Sequence, residues 1–126
     1  MAVPILKLSD VLIASIQSAL SDQDLVQLRE DFADKVGRYR TKGVVIDVTA
    51  LDVLDSFATR TLRGIAYVSK LRGATTVIVG IQPEVAFAMV QLGLTLDGVA
   101  TALDLEEGID YLRKTASGSG SLGNAG

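Results

Sequence analysis

Residues 44–56 read VVIDVTALDVLDS, and this stretch decides the fold of the chain. Its first five residues, 44–48, are mostly β-branched, as in a strand inside a sheet that is covered on both faces. An acidic segment from Asp52 to Asp55 follows, and a helical pattern begins near Ser56. The sequence therefore predicts a central strand that leads through a short acidic connection into a helix.

Two strand patterns and one helix pattern precede this unit. Residues 3–8 and 11–16 are rich in apolar residues and flank a turn signal at Ser9-Asp10, so they predict an opening hairpin. A helix pattern begins at Ser21, which is a suitable N-cap. The apolar residues of this helix recur at steps of three and four, at Leu25, Leu28, Phe32, Val36 and Tyr39.

Downstream of Ser56, helix and strand patterns alternate. The later elements are predicted as a helix that stops at Gly73, a strand at 75–79, a helix from Pro83 to Gly93, a strand at 99–103 and a helix from Asp104 onwards. The whole order is ββαβαβαβα. Because such alternation implies right-handed crossovers, we expect an α/β fold in which helices pack against a mixed, mostly parallel sheet.

The length of the chain fits one domain. It has 126 residues, close to the ~150 that serve as a prior for a single folded unit. Residues 1–116 contain all the patterned elements and are predicted to form that domain. Residues 117–126 read SGSGSLGNAG, which buries too little apolar surface to offset its ordering entropy, so we predict a disordered tail.

The composition excludes several kinds of chemistry. The chain has no Cys and no His, which rules out disulfides, cysteine zinc sites and Ser-His-Asp catalysis. A net charge of −3 argues against nucleic acid. No apolar run approaches the ~18 residues of a membrane helix, and no signal sequence is recognisable. We therefore expect a cytoplasmic protein without cofactor or metal that binds partners and is not an enzyme.

The acidic connection is the candidate functional site. Asp52, Asp55 and Ser56 lie together at the start of a helix, beyond the carboxyl end of the central strand, where function gathers in open parallel sheets. One interpretation makes Asp55 or Ser56 an ordinary N-cap. The other makes Ser56 a phosphorylation site, because a phosphate there meets free backbone amides and the positive end of the helix. Both interpretations can hold together.

Three catalytic alternatives use the same residues. A Mg²⁺ site from Asp47, Asp52 and Asp55 has suitable ligands, but no Gly-rich phosphate loop accompanies it. A Ser-Lys pair is unfavourable because Lys70 lies roughly 21 Å along the same helix from Ser56. An acid/base pair of carboxylates requires a substrate cleft that the sequence does not indicate.

Two further features suggest surfaces for partners. The helix after Pro83 has one apolar stripe at Val85, Met89 and Leu92, and a second at Phe87, Val90 and Leu94. The second stripe is either buried within the domain or part of a protein interface, and the sequence leaves both open. Arg60 and Arg63 lie about one turn apart beside Ser56 and are candidates for an acidic partner.

The chain resembles the STAS domain of bacterial anti-sigma factor antagonists, whose fold is of the SpoIIAA type. The resemblance is carried by the strand at 44–49, by Asp55-Ser56, and by 79–86, which read VGIQPEVA. It covers roughly residues 3 to 115. Within the family, 11–17 and 46–57 are similar to the single-domain stressosome scaffold proteins of the RsbS type.

This resemblance implies a function for Ser56. It implies that a switch serine/threonine kinase of the GHKL type phosphorylates Ser56, and that the protein holds this kinase until phosphorylation releases it. It also implies a homo-oligomer or a large hetero-assembly with RsbR-type co-antagonists, which gives Phe87 and Val90 a use. Within the family, the alternative is a monomeric sporulation-type antagonist. The alternative from another class is a metal-dependent phosphohydrolase that uses the Asp cluster.

Overall fold

The elements follow one another in the order that the sequence predicts, ββαβαβαβα. The computed structural model describes residues 3–122. In this range the elements are β1 (Ile5–Leu8), β2 (Val11–Ser15), α1 (Asp22–Tyr39), β3 (Gly43–Asp47), α2 (Ser56–Leu71), β4 (Thr75–Val79), α3 (Pro83–Gln91), β5 (Ala100–Ala102) and α4 (Leu105–Leu122).

The β-branched run forms the centre of the sheet. Among the described residues the five strands make one sheet in the order β1-β2-β3-β4-β5, so β3 has two strands on either side. The pair β1 and β2 is antiparallel, which confirms the predicted hairpin. The pairs from β2 to β5 are parallel. Val44, Val45 and Ile46 are fully buried, as a central strand covered on both faces requires.

Helices cover both faces of the sheet. On one face, alternate strand residues such as Leu12, Ile46 and Ile78 pack with buried side chains of α1, α2 and α3. On the other face, Val45 and Val77 belong to a smaller cluster that includes Leu112 of α4. This alternation follows from the two-residue period of a strand. The α/β fold with a mixed, mostly parallel sheet is thereby confirmed.

The two outermost strands are shorter than predicted. β1 begins at Ile5 rather than at residue 3, because the ladder with β2 ends at the pair Ile5 and Ala14. Pro4 precedes this pair and has no N–H to donate. β5 covers Ala100–Ala102 rather than 99–103, and its ladder with β4 has three residue pairs. Both differences lie at strand ends, where fewer neighbours hold the backbone.

The last helix extends past the predicted start of the tail. Residues 117–122, which the composition assigns to a disordered segment, are helical in the structure as the end of α4. Each residue that extends an existing helix adds one backbone hydrogen bond without a new nucleation cost, so weak helix formers continue a helix that has already begun. Residues 123–126 of the predicted tail lie outside the described residues.

Candidate functional site

At the start of α2, the residue that caps the helix is Asp55 and not Ser56. Asp55 is the N-cap: its Oδ1 accepts a hydrogen bond of 2.8 Å from the amide of Ala58. Its backbone carbonyl also accepts hydrogen bonds of 2.9 Å from the amide and the hydroxyl of Thr59. Ser56 is the first helical residue and is exposed. Within the described part of the chain, its hydroxyl has no hydrogen-bond partner.

Buried leucine side chains hold the acidic connection against the core. Leu51 and Leu54 are buried in the core on the helix side of the sheet, while Asp52 and Asp55 are exposed. The connection turns at once after β3, because the amide of Leu51 donates a hydrogen bond of 3.0 Å to the carbonyl of Val48. Two buried leucines thus hold a short loop that presents two carboxylates and the Ser56 hydroxyl to solvent.

Residues at the end of β4 and just before α3 also support this loop. The side-chain amide of Gln82 donates a hydrogen bond of 2.6 Å to the carbonyl of Thr49. Gly80 has a φ of +82°, and a Cβ at this position would overlap the Thr49 side chain. The amide of Val48 donates to the carbonyl of Val79 at 3.0 Å. The end of β4 and the start of α3 therefore set the path of the chain toward Ser56.

Sequence reasoning did not assign Thr49, Gly80 or Gln82 to the site. The signal is present in the GIQPE stretch at 80–84, which carries part of the family resemblance. A glycine that follows a buried strand indicates a positive φ or a close approach of backbone. The structure shows both features at Gly80. Its φ is positive, and a Cβ there would overlap Thr49, which lies 31 positions earlier in the sequence.

The two arginines of α2 differ in their surroundings. Arg60 is exposed one turn after Ser56 and remains available to a partner. Arg63 is half-buried, and its Nη1 donates hydrogen bonds to the carbonyl and the hydroxyl of Thr95, at 3.1 and 3.2 Å. This contact ties α2 to the loop after α3, and the role of Arg63 toward an acidic partner stays a prediction.

The carboxylates of the acidic stretch do not form one cluster that could hold a metal ion. Asp47 Oδ1 accepts hydrogen bonds from the amide and the hydroxyl of Thr49, at 2.9 and 2.6 Å. Asp55 is occupied by its cap. In the range 3–122, no group of three or more acidic residues is placed to hold a metal ion. The predicted alternative with Asp47, Asp52 and Asp55 as joint ligands therefore lacks its geometry.

The outward face of α3 is apolar. Val85 and Met89 are buried, whereas Phe87 is 71% and Val90 is 76% exposed. The two predicted stripes are correct up to the end of the helix, but beyond it the burial of Leu92 and Leu94 is exchanged relative to the prediction. Leu92 is 69% exposed and Leu94 packs against the core.

This exchange has a backbone cause. The helix ends at Gln91, and Gly93 adopts a φ of +69°. The amide of Leu94 then donates to the carbonyl of Met89 at 2.9 Å, which directs the chain back toward the core. The helical periodicity does not continue beyond Gln91, so it predicts the burial of Leu92 and Leu94 wrongly.

Along the described helices, none combines the length and the apolar character that crossing a membrane requires.

The whole architecture matches a known family. The family model described as the STAS domain matches residues 2–108 of the chain. The chain belongs to the STAS-domain family. This places the Asp55-Ser56 site and the loop at 80–84 within the matched range.

Two of the solved structures similar to this STAS domain are of RsbS and of the stressosome. A variant of Moorella thermoacetica RsbS with glutamate in place of a serine is 40% identical, with a TM-score of 0.79, and the match covers 91% of this chain and 97% of that one. A structure described as the molecular architecture of the stressosome, a signal integration and transduction hub, contains a chain 42% identical, with a TM-score of 0.77, and covers 90% and 98%.

A curated relative is longer than this STAS domain. The RsbT co-antagonist protein RsbRA of Bacillus subtilis (strain 168) is 31% identical over 83 residues, which are 66% of this chain and 30% of the relative. The match therefore spans less than a third of RsbRA. The similarity to RsbS, by contrast, extends over nearly the full length of both chains.

Proposed function

We propose that this STAS domain is a stressosome-type scaffold and antagonist that holds a serine kinase of the GHKL type and releases it when Ser56 is phosphorylated. One observation carries the proposal: Asp55 caps α2, so the Ser56 hydroxyl is exposed at the helix start and is not needed by the fold. The stressosome and RsbS neighbours support a scaffold or antagonist role at the coarser level.

The release step follows from charge. Before phosphorylation, a partner that covers Ser56 faces the two carboxylates of Asp52 and Asp55. A phosphate adds about −1.5 to −2 charges at pH 7, which roughly doubles the negative charge of this small surface. A kinase active site that still contains nucleotide phosphates repels such a surface. We therefore assign the switch to recognition at the interface rather than to a change of fold.

This function requires binding and no catalysis by the chain itself. The exposed loop offers carboxylates and one hydroxyl, with no His or Cys anywhere in the sequence to act as base or nucleophile. Asp47 and Asp55 are engaged in local hydrogen bonds. In the proposed reaction, the kinase supplies the chemistry and this STAS domain supplies the acceptor hydroxyl of Ser56.

The apolar face of α3 is the proposed assembly surface. Phe87 and Val90, three residues apart on α3, are each more than two-thirds exposed, and exposed apolar groups that lie together are typical of protein interfaces. We assign this face to an RsbR-type STAS co-antagonist in a large hetero-assembly. Support comes from the similarity to RsbRA and to a chain of the stressosome. A monomeric sporulation-type antagonist has no need of this surface.

Phosphate mapping tests the switch. The protein is incubated with a GHKL-type kinase and ATP, and the modified residue is located by mass spectrometry. We expect a single phosphate on Ser56 in the parent and none in Ser56→Ala. The matched control is Ser18→Ala, since Ser18 is an exposed serine in the loop that follows β2.

Binding measurements complete the test. The kinase is expected to bind the parent, Ser56→Ala and Ser18→Ala with similar affinity, and to bind the phosphorylated parent at least tenfold more weakly. Modification at another residue would contradict the site. Tight kinase binding by the phosphorylated protein would overturn the release mechanism.

A further inference from the structure

A groove lies on the sheet face opposite α1, α2 and α3. It runs between α4 and the β1–β2 turn and has a volume of about 310 Å³. Its apolar lining comes from Leu8 and Val11 on the hairpin and from Ile109 and Leu112 on α4. This size falls within the range of small-molecule sites in proteins, about 300–1,000 Å³. The groove is remote from Ser56, which lies on the other face at the carboxyl edge.

The groove forms because α4 covers one part of the sheet. Gly43 allows α4 to approach closely, since a Cβ there would lie 2.7 Å from a methyl of Leu112. On β1, Leu6 and Leu8 pair with Ile13 and Val11 and therefore point to the same face as those residues. Leu6 is 65% and Leu8 is 56% exposed. An apolar floor thus continues beyond the edge of the helix.

Two cations and one anion line the rim. Lys42 and Arg113 border the groove, and among residues 3–116, whose side chains are described, neither side chain forms an ion pair or a hydrogen bond. Asp10 also borders it, and the Asp10 backbone carbonyl accepts a hydrogen bond of 2.7 Å from the amide of Lys42. The side chains give the rim a net charge of +1. An apolar floor below a cationic rim complements a molecule with an apolar tail and an anionic head.

We infer that this groove binds a straight-chain carboxylate. The carboxylate lies between Lys42 and Arg113, where a guanidinium provides paired donors that match its two oxygens. The tail lies along Leu8, Val11 and Leu112. A volume of about 310 Å³ is at the lower end of the range for small-molecule sites, about 300–1,000 Å³, so the eight-carbon octanoate is the probe chosen. The inference does not depend on the proposed function of Ser56.

Titration with sodium octanoate, followed by amide shifts in nitrogen-15 NMR spectra, tests the inference. Octylammonium chloride is the probe of opposite charge and equal chain length, and both are used below their critical micelle concentrations. We expect octanoate to cause saturable shifts in residues 8–11, 42–43 and 109–113. Octylammonium is expected to bind at least fivefold more weakly.

Charge variants test the rim. Lys42→Gln and Arg113→Gln are each expected to weaken octanoate binding by about three- to fivefold, as for exposed charge pairs. Asp10→Asn removes the only rim anion among the lining residues and is expected to strengthen binding about twofold. Lys114→Gln is the matched control, because Lys114 is the next residue on α4, lies outside the groove and pairs with Asp110.

Apolar variants test the floor. Leu8→Gln is expected to weaken octanoate binding at least threefold, while Leu6→Gln, on the same strand and face but outside the lining, leaves it unchanged. Non-saturating shifts, equal binding of octylammonium, or equal effects of the two leucine variants would overturn the inference. Kinase binding and Ser56 phosphorylation are measured in separate assays, so a failure here leaves the proposed function untouched.

Discussion

The side-chain amide of Gln82 and the main-chain carbonyl of Thr49 form a hydrogen bond of 2.6 Å across 33 residues of sequence. The bond joins the start of α3 to the connection that leads to Ser56. Its donor adjoins Pro83, the first residue of α3, and its acceptor lies two residues beyond β3. The site that presents Ser56 is therefore built jointly by the ends of two neighbouring parallel strands.

Gly80→Ala is expected to destabilise the protein more than Gly73→Ala. Both glycines have positive φ, +82° and +95°, so both variants incur the ~1–2 kcal/mol that a side chain costs in the left-handed region. At Gly80 the new Cβ also overlaps Thr49, which adds ~1–3 kcal/mol for overpacking. At Gly73 a Cβ meets nothing within 4 Å. Urea unfolding of the two variants measures the difference, and equal losses would contradict the contact with Thr49.

Asp55→Ala is expected to lower the free energy of unfolding by ~1 kcal/mol, because α2 loses its N-cap. Asp55→Asn retains an acceptor and is expected to restore most of that loss. Asp52→Ala is the control, since Asp52 is exposed and caps nothing in the described helices. Thermal or urea unfolding checks all three variants. A large loss in Asp52→Ala would show that the acidic loop is held by more than its buried leucines.

Phosphorylation of Ser56 is expected to leave the fold intact and to add little or no stability. A phosphate gains ~0.3–1 kcal/mol at an exposed helix start. Repulsion from one carboxylate ~6 Å away costs between about 1 and 5 kcal/mol for dielectric constants from 80 to 20, before salt screening. Arg60, one turn further along α2, offsets part of this cost. The phosphorylated protein is therefore expected to be no more stable than the parent.

Circular dichroism and urea unfolding of the purified phosphorylated protein check this expectation. Ser56→Asp is the variant for comparison, with Ser18→Asp as the control that adds the same charge outside the acidic loop. Near-identical spectra are expected for all of them, with weaker kinase binding in Ser56→Asp alone. A stabilisation above ~1 kcal/mol, beyond the helix-dipole gain, would indicate that the phosphate reorganises the loop.

Phe87→Glu is expected to break up assemblies while the domain stays folded. The Phe87 side chain is 71% exposed, so glutamate at this position places its charge in water. Val85→Glu, two residues earlier on α3, is the contrasting variant, because Val85 is buried and an unpaired charge there costs several kcal/mol. Size-exclusion chromatography with an RsbR-type partner measures assembly, and circular dichroism measures folding. Intact assemblies in Phe87→Glu would exclude this face as the interface.

The pure protein is expected to hydrolyse neither ATP nor a simple phosphate ester, with or without Mg²⁺. The reason is chemical: the sequence contains no His or Cys, and the described carboxylates form no joint metal-binding group. A colorimetric phosphate assay over a Mg²⁺ titration measures this. Turnover that disappears in Asp52→Ala would restore the phosphohydrolase alternative.

The sequence by itself determined the order of the elements and the position of the candidate site at the start of α2. The β-branched run at 44–48 predicts a central strand because buried parallel strands lack an alternating polar face. The position of Ser56 at the start of α2 follows from strand and helix patterns that meet across a short acidic loop, whereas the structure shows that Asp55 is the cap and Ser56 is exposed. These are local properties, set by side-chain periodicity, turn residues and caps within a few positions of one another.

Only the tertiary structure decided which residues support that site and which remain free. Thr49 and Gln82 meet because neighbouring parallel strands end at the same edge of the sheet. The Arg63 side chain donates a hydrogen bond to Thr95, 32 residues away, whereas the Arg60 side chain does not contact that residue through a hydrogen bond. Leu94 packs against the core because Gly93 turns the chain after α3. Each outcome depends on where a distant segment lies, and a periodic pattern contains no information about contacts across that distance.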